Sequence, residues 1–95
     1  MDIQNVLKQK QVTIIDVREV FEFEHGHIPG AKNFPLSRII GQVEEIRLYA
    51  RPIVVYCQSG NRSAQAMEHS KANEVTEVYD GGSLQLMNYY LADVV

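Results

Sequence analysis

Ile53-Val54-Val55-Tyr56-Cys57-Gln58-Ser59-Gly60-Asn61-Arg62-Ser63 carries both the architecture and the chemistry of this chain. Its first four residues are apolar, mostly β-branched and too few for a helix, so they predict a buried strand. That strand ends at the single cysteine of the 95 residues. A polar loop with one glycine follows, then an arginine. From Ser63, Ala64, Ala66 and Met67 predict a helix to about Ala72, with Asn73 as its left-handed terminal residue. A strand, loop and helix in this order aim backbone N–H groups and the positive end of a helix dipole into one small space. Cys57 stands at its mouth.

Outward from this stretch the same alternation recurs. Val12-Thr13-Ile14-Ile15 predicts a second buried strand ending at Asp16, Ala31 to Pro35 a very short one around Phe34, and Val75 to Tyr79 a further one. Between them lie helical segments. Asp2 caps Ile3, Val6 and Leu7; Glu19 to Glu24 forms a second helix; Ser37 caps a third with Ile39, Ile40, Val43, Ile46 and Leu48 at helical spacing. After a tight turn at Gly81-Gly82, Leu84, Leu86, Met87 and Leu91 give a last apolar helix face. Alternating strands and helices define one α/β domain over residues 1–95, with a parallel sheet of four to five strands flanked by helices on both faces. In such sheets ligands bind beyond the carboxyl ends of the strands. Asp16-Val17-Arg18 and Cys57 both leave strands there, so Arg18 and Cys57 are expected on one rim.

Composition removes several function classes. A net charge of −3 gives no attraction to nucleic acid or to an anionic membrane, and no apolar run is long enough to span a bilayer. Met1-Asp2-Ile3-Gln4-Asn5 is polar from the outset, unlike a signal peptide, so a cytoplasmic location is expected. One cysteine makes neither an intrachain disulfide nor a cysteine-based zinc site. His25 and His27 lack a third ligand, so no metal is expected, and no cofactor. Glu19, Glu22 and Glu24 read as a solvated helix face, and Arg47 and Arg51 as surface charges at the strands' entry side.

Cys57 is therefore either a buried filler or a reactive thiol. A thiol acts as a nucleophile only when ionised, and its pKa of about 8.5 falls near cations and helix N-termini. The N–H groups from Gln58 to Ser63 can form an anion nest, and Gly60 permits the left-handed backbone this requires. Arg62 offers a forked donor to an oxyanion. The hydroxyls of Ser59 and Ser63 either donate to an anion or cap the helix, and Asn61 adds a neutral polar group. A filler does not call for such a loop, which favours the reactive thiol. Cysteine-dependent phosphatases separate cysteine and arginine by five residues; only four lie between Cys57 and Arg62, which argues against that chemistry.

These residues resemble the rhodanese homology domain, and in particular its small single-domain sulfurtransferases. Ile15-Asp16-Val17-Arg18-Glu19 is similar to the family's Asp-x-Arg strand end. Glu22-Phe23 and then Gly26-His27-Ile28-Pro29-Gly30-Ala31, continued by Asn33-Phe34-Pro35-Leu36, resembles its loop signature. Cys57 to Ser63 is similar to its active-site loop, and Gly81-Gly82 to the double glycine before its final helix. The resemblance implies a two-step sulfur transfer through a Cys57 persulfide, from a small anionic donor such as thiosulfate to a thiol, cyanide or protein acceptor. It implies anion binding by Arg18 and the loop, and structural support from Asp16 and His27. The opening strand common in the family is missing here, so a four-strand core is expected, as a monomer or weak dimer. Leu86 stands where the family has an aromatic residue. The same fold can also serve as a persulfide carrier or interaction module loaded by a partner protein. Arsenate or peroxide reduction would want a resolving cysteine.

Overall fold

The computed structural model describes residues 2–92. Its centre is a parallel sheet of four strands in the order β2-β1-β3-β4. These are β1 (Thr13–Asp16), β2 (Lys32–Asn33), β3 (Ile53–Cys57) and β4 (Val78–Ser83). The register of β1 on β3 sets Thr13 opposite Ile53 and Asp16 opposite Tyr56, so both strands end at one rim.

All five residues of β3 are buried, as a central parallel strand covered on both faces requires. Successive side chains leave opposite faces of the sheet. Ile53, Val55 and Cys57 join Ile15, Val17, Phe34, Ile39, Val43, Ile46 and Ala66 in one core layer. Val54 and Tyr56 join Val6, Leu7, Ile28 and Met87 in the other. Helices α1 (Ile3–Leu7) and α5 (Leu84–Leu91) cover the second layer; α3 (Val43–Ile46) and α4 (Asn61–Ala72) cover the first. Helix α2 (Val20–Glu24) buries none of its residues and lies where β1 leaves the sheet. Among the described residues no helix is long and apolar enough to cross a membrane.

Several local expectations are corrected. The segment after Pro35 is not one α-helix capped by Ser37: Leu36–Gln42 is a 3-10 helix leading into the short α3, and Ser37 Oγ donates instead to Glu19. Gly41 weakens an α-helix at that point. Ile39, Val43 and Ile46 still reach the core, whereas Ile40 and Leu48 are exposed. Asn73 does not take the left-handed conformation; Glu74 does, at φ 63°.

The last strand starts at Val78, because Glu74 and Glu77 both adopt positive φ and interrupt any extension from Val75. Arg47 and Arg51 hold this connection and are not idle surface charges. Arg47 donates to the Asn73 carbonyl at 2.9 Å and Arg51 to the Thr76 carbonyl at 2.9 Å. Finally, Gly81-Gly82 is not a free turn but part of β4. Val55 pairs with Asp80 and Tyr56 with Gly82, leaving Gly81 as the extra residue of a bulge. A Cβ on Gly81 would stand 2.5 Å from Met87 Sδ and 2.9 Å from Val54 Cγ1, so only glycine lets α5 pack this closely. On α5, Met87 is fully buried while Leu86 lies exposed, off the apolar face.

Candidate active site

Cys57 is the last residue of β3, and α4 begins four residues later at Asn61. Gly60 makes so short a connection possible, sitting at the helix N-cap with φ +98°, a conformation that side chains resist. The loop folds back over the sulfur. Cys57 Sγ accepts from the Gly60 N–H at 3.0 Å and from the Ser63 N–H at 3.4 Å, and the thiol donates to Ser63 Oγ at 3.6 Å. Ser63 is itself buried, its hydroxyl donating to the Gly60 carbonyl at 3.1 Å.

Burial pushes the Cys57 thiol up. The Ser63 hydroxyl and the N–H groups of Ser63, Gly60 and Ser59 together outweigh it, so the thiol lies below its ordinary value. Hydrogen bonds to the charged form produce such a shift, and the amino end of the twelve-residue α4 points the same way. Cys57 nonetheless has 0% exposure: the loop that acidifies the sulfur also covers it.

The structure brings Cys57, Gly60 and Ser63 together and leaves Gln58, Ser59 and Asn61 exposed on the outer side of the loop. Arg62 does not point a free fork at the cradle. Its guanidinium makes a two-pronged pair with Glu22 of α2, at 2.7 and 2.9 Å. Glu22 is thus no solvated charge: Arg62 holds its carboxyl down to about 2, with help from the Glu19 N–H. Glu19 and Glu22 form a capping box at the start of α2, which fixes the Glu22 side chain. Glu24 remains exposed.

Arg18 reaches the loop, as strand order predicts, and is only 3% exposed. Its donors are engaged there. Nε and Nη2 contact the Asp16 carboxylate, at 2.7 Å for Nη2, which also reaches the Gly26 carbonyl at 2.7 Å. Nη1 donates to Gln58 Oε1 at 3.0 Å. Asp16 accepts from the Arg18 backbone N–H as well, at 2.9 Å. Its hydrogen bond is the main cause that raises the Arg18 pKa. His27 stacks on Phe23 with ring centroids 3.6 Å apart, and its Nδ1 lies 2.8 Å from the Phe23 carbonyl, so it orders the end of α2. Among the described residues no group of three or more His, Cys, Asp or Glu is placed to hold a metal ion.

Two participants escape a reading of the sequence as a string. Glu22 lies forty residues before Arg62; its Glu-x-x-Glu spacing from Glu19 was the available signal, since it announces a capping box. The Gly82 carbonyl, 3.4 Å from Ser63 Oγ, arrives through the bulge in β4, which no local pattern announces.

Strand order, the loop over Cys57 and the Asp16–Arg18 pair together define a family, and residues 2–88 match the model of the rhodanese-like domain. The chain belongs to the rhodanese-like domain family. It is 44% identical over 71 residues to the uncharacterized protein YqhL of Bacillus subtilis, covering 75% of this chain and 56% of that one. It is 35% identical over 68 residues to the putative sulfur carrier protein YrkF of the same organism, covering 72% of this chain and 36% of that protein. The chain thus spans about half or less of these relatives. Among solved structures, the rhodanese of E. coli, determined with anions, superposes with a TM-score of 0.70 at 28% identity, over 78% of this chain and 88% of that one.

Proposed function

We propose that this domain is a sulfurtransferase that moves sulfane sulfur through a persulfide on Cys57. The observation that carries the proposal is the set of donors on the sulfur, from Gly60 and Ser63. In the first step the Cys57 thiolate attacks the outer sulfur of a donor such as thiosulfate. A new S–S bond forms, the old one breaks, and its electron pair leaves with sulfite. In the second, an acceptor thiol, cyanide or protein nucleophile attacks the outer sulfur and the Cys57 thiolate is restored. The N–H groups stabilise the charge on sulfur as an oxyanion hole stabilises oxygen. Arg18 acts as a positioning residue, holding Gln58 while Asp16 holds it. A reducing compartment such as the cytoplasm suits a lone reactive thiol.

A second reading rests on the coverage of Cys57 and on the carboxylate partner of each arginine. In it the domain is a persulfide carrier whose sulfur arrives from a partner protein that opens the loop, a role consistent with the likeness to a putative sulfur carrier. Intact mass after treatment with thiosulfate, with Cys57→Ser as control, separates the two. One sulfur atom gained by the wild type alone supports direct transfer from thiosulfate. No gain rejects it in favour of the carrier.

A further inference from the structure

Arg62 is the cation closest in sequence to the sulfur cradle, yet it carries its counter-charge with it. Both Glu22 carboxylate oxygens lie on its guanidinium at 2.7 and 2.9 Å, with the two side chains 20% and 32% exposed. The second arginine of the rim is matched in the same way by Asp16. A small dianion approaching the loop therefore meets a guanidinium already neutralised, with a carboxylate fixed beside it. The capping box keeps that carboxylate in place, and it stays ionised well below neutral pH.

The geometry points to Glu22 as a specificity-determining residue that weights the Cys57 site against doubly charged sulfur donors by neutralising Arg62. This rests on the sulfurtransferase reading and adds to it the charge class of the donor. Coulomb repulsion scales with donor charge. A monoanion carrying the same sulfane sulfur, a persulfide anion included, should feel half the penalty of a dianion, and an uncharged donor should feel less than either.

The test compares thiosulfate with methanethiosulfonate, which delivers the same outer sulfur and releases a singly charged sulfinate. Wild type, Glu22→Gln and Glu22→Asp are assayed for transfer to cyanide. In Glu22→Gln the KM for thiosulfate should fall by about tenfold and that for methanethiosulfonate by about threefold, with kcat little changed, as charge scaling requires. Glu22→Asp keeps the charge and should keep the wild-type preference. Equal shifts for the two donors, no shift, or an Asp variant that behaves like Gln would each overturn the proposal. Should Glu22→Gln fail to fold, Glu22→Ala makes the same change in charge. Thiosulfate binding to Cys57→Ser, with and without Glu22→Gln, needs no turnover and separates this proposal from the one it rests on. If no donor loads any variant, transfer from these anions is rejected. A Kd that still tightens about tenfold upholds the role of Glu22, and an unchanged Kd removes it.

Discussion

Two carboxylate–arginine pairs flank Cys57, and they differ in nearly every respect but length. Asp16 and Arg18 are two residues apart, meet at 2.7 Å and are 0% and 3% exposed. Glu22 and Arg62 are forty residues apart, also meet at 2.7 Å, and keep 20% and 32% of their surface. The first pair is a buried pin at the end of β1 that the chain makes locally. The second is a tertiary contact between α2 and α4, formed only once both elements are docked. A buried ion gains little over an apolar pair but is costly to strip of its partner, whereas an exposed one is cheap to lose. One pair thus secures the fold, while the other is free to tune the site.

The largest effect should come from breaking the buried pin. Asp16→Ala leaves the Arg18 guanidinium buried without its carboxylate and should lower unfolding free energy by about 3–5 kcal/mol in urea denaturation. A loss no larger than that of an Arg62→Ala protein would erase the contrast. Next comes the thiol. With both arginines already matched, the acidity of Cys57 rests on uncharged donors, the Ser63 hydroxyl first among them. Ser63→Ala removes a hydrogen bond to the charged form and should raise the thiol pKa, and by more than Arg62→Ala does. Thiolate absorbance followed against pH measures both.

The smallest effect belongs to the half-buried pair of Glu22 and Arg62. The Glu22 carboxyl is depressed from its ordinary 4.5 to about 2, so its contribution is complete above 4.5 and is lost as pH falls from there toward 2. After discounting for solvent screening, that contribution is about 1 kcal/mol or less. The stability difference between wild type and Glu22→Gln should therefore close across that acid window. A difference that persists below it would assign the stability to packing.

What was legible in the sequence follows the same division between local and distant. The β-branched run of β3, the cysteine at its end and the glycine that turns the chain into α4 are neighbours, and local physics suffices to read them. Strand order likewise puts Arg18 on the rim beside Cys57, but that its donors are taken up by Asp16, Gly26 and Gln58 is seen only in the folded chain. Glu22 looked like a solvated charge because its partner is forty residues away and only docking reveals it. Val75 read as strand because it is β-branched; it is buried, but from a connection that Glu74 and Glu77 bend out of extension. Ser37 read as a helix cap because its type suits one, yet Glu19 across the rim claims its hydroxyl. The double glycine was visible as punctuation, but its purpose, room for Met87 against Val54, depends on which helix packs there.

The covering of Cys57 bears on how long the protein lasts. An acidified thiol is the form that peroxide attacks most readily, and past the sulfenic stage the damage is seldom reversed. These 95 residues hold no second cysteine to trap a sulfenic acid as a disulfide. The loop folded over the sulfur is then a shield as well as a cradle: with Cys57 0% exposed, the same backbone that primes the thiol keeps dissolved oxidants off it.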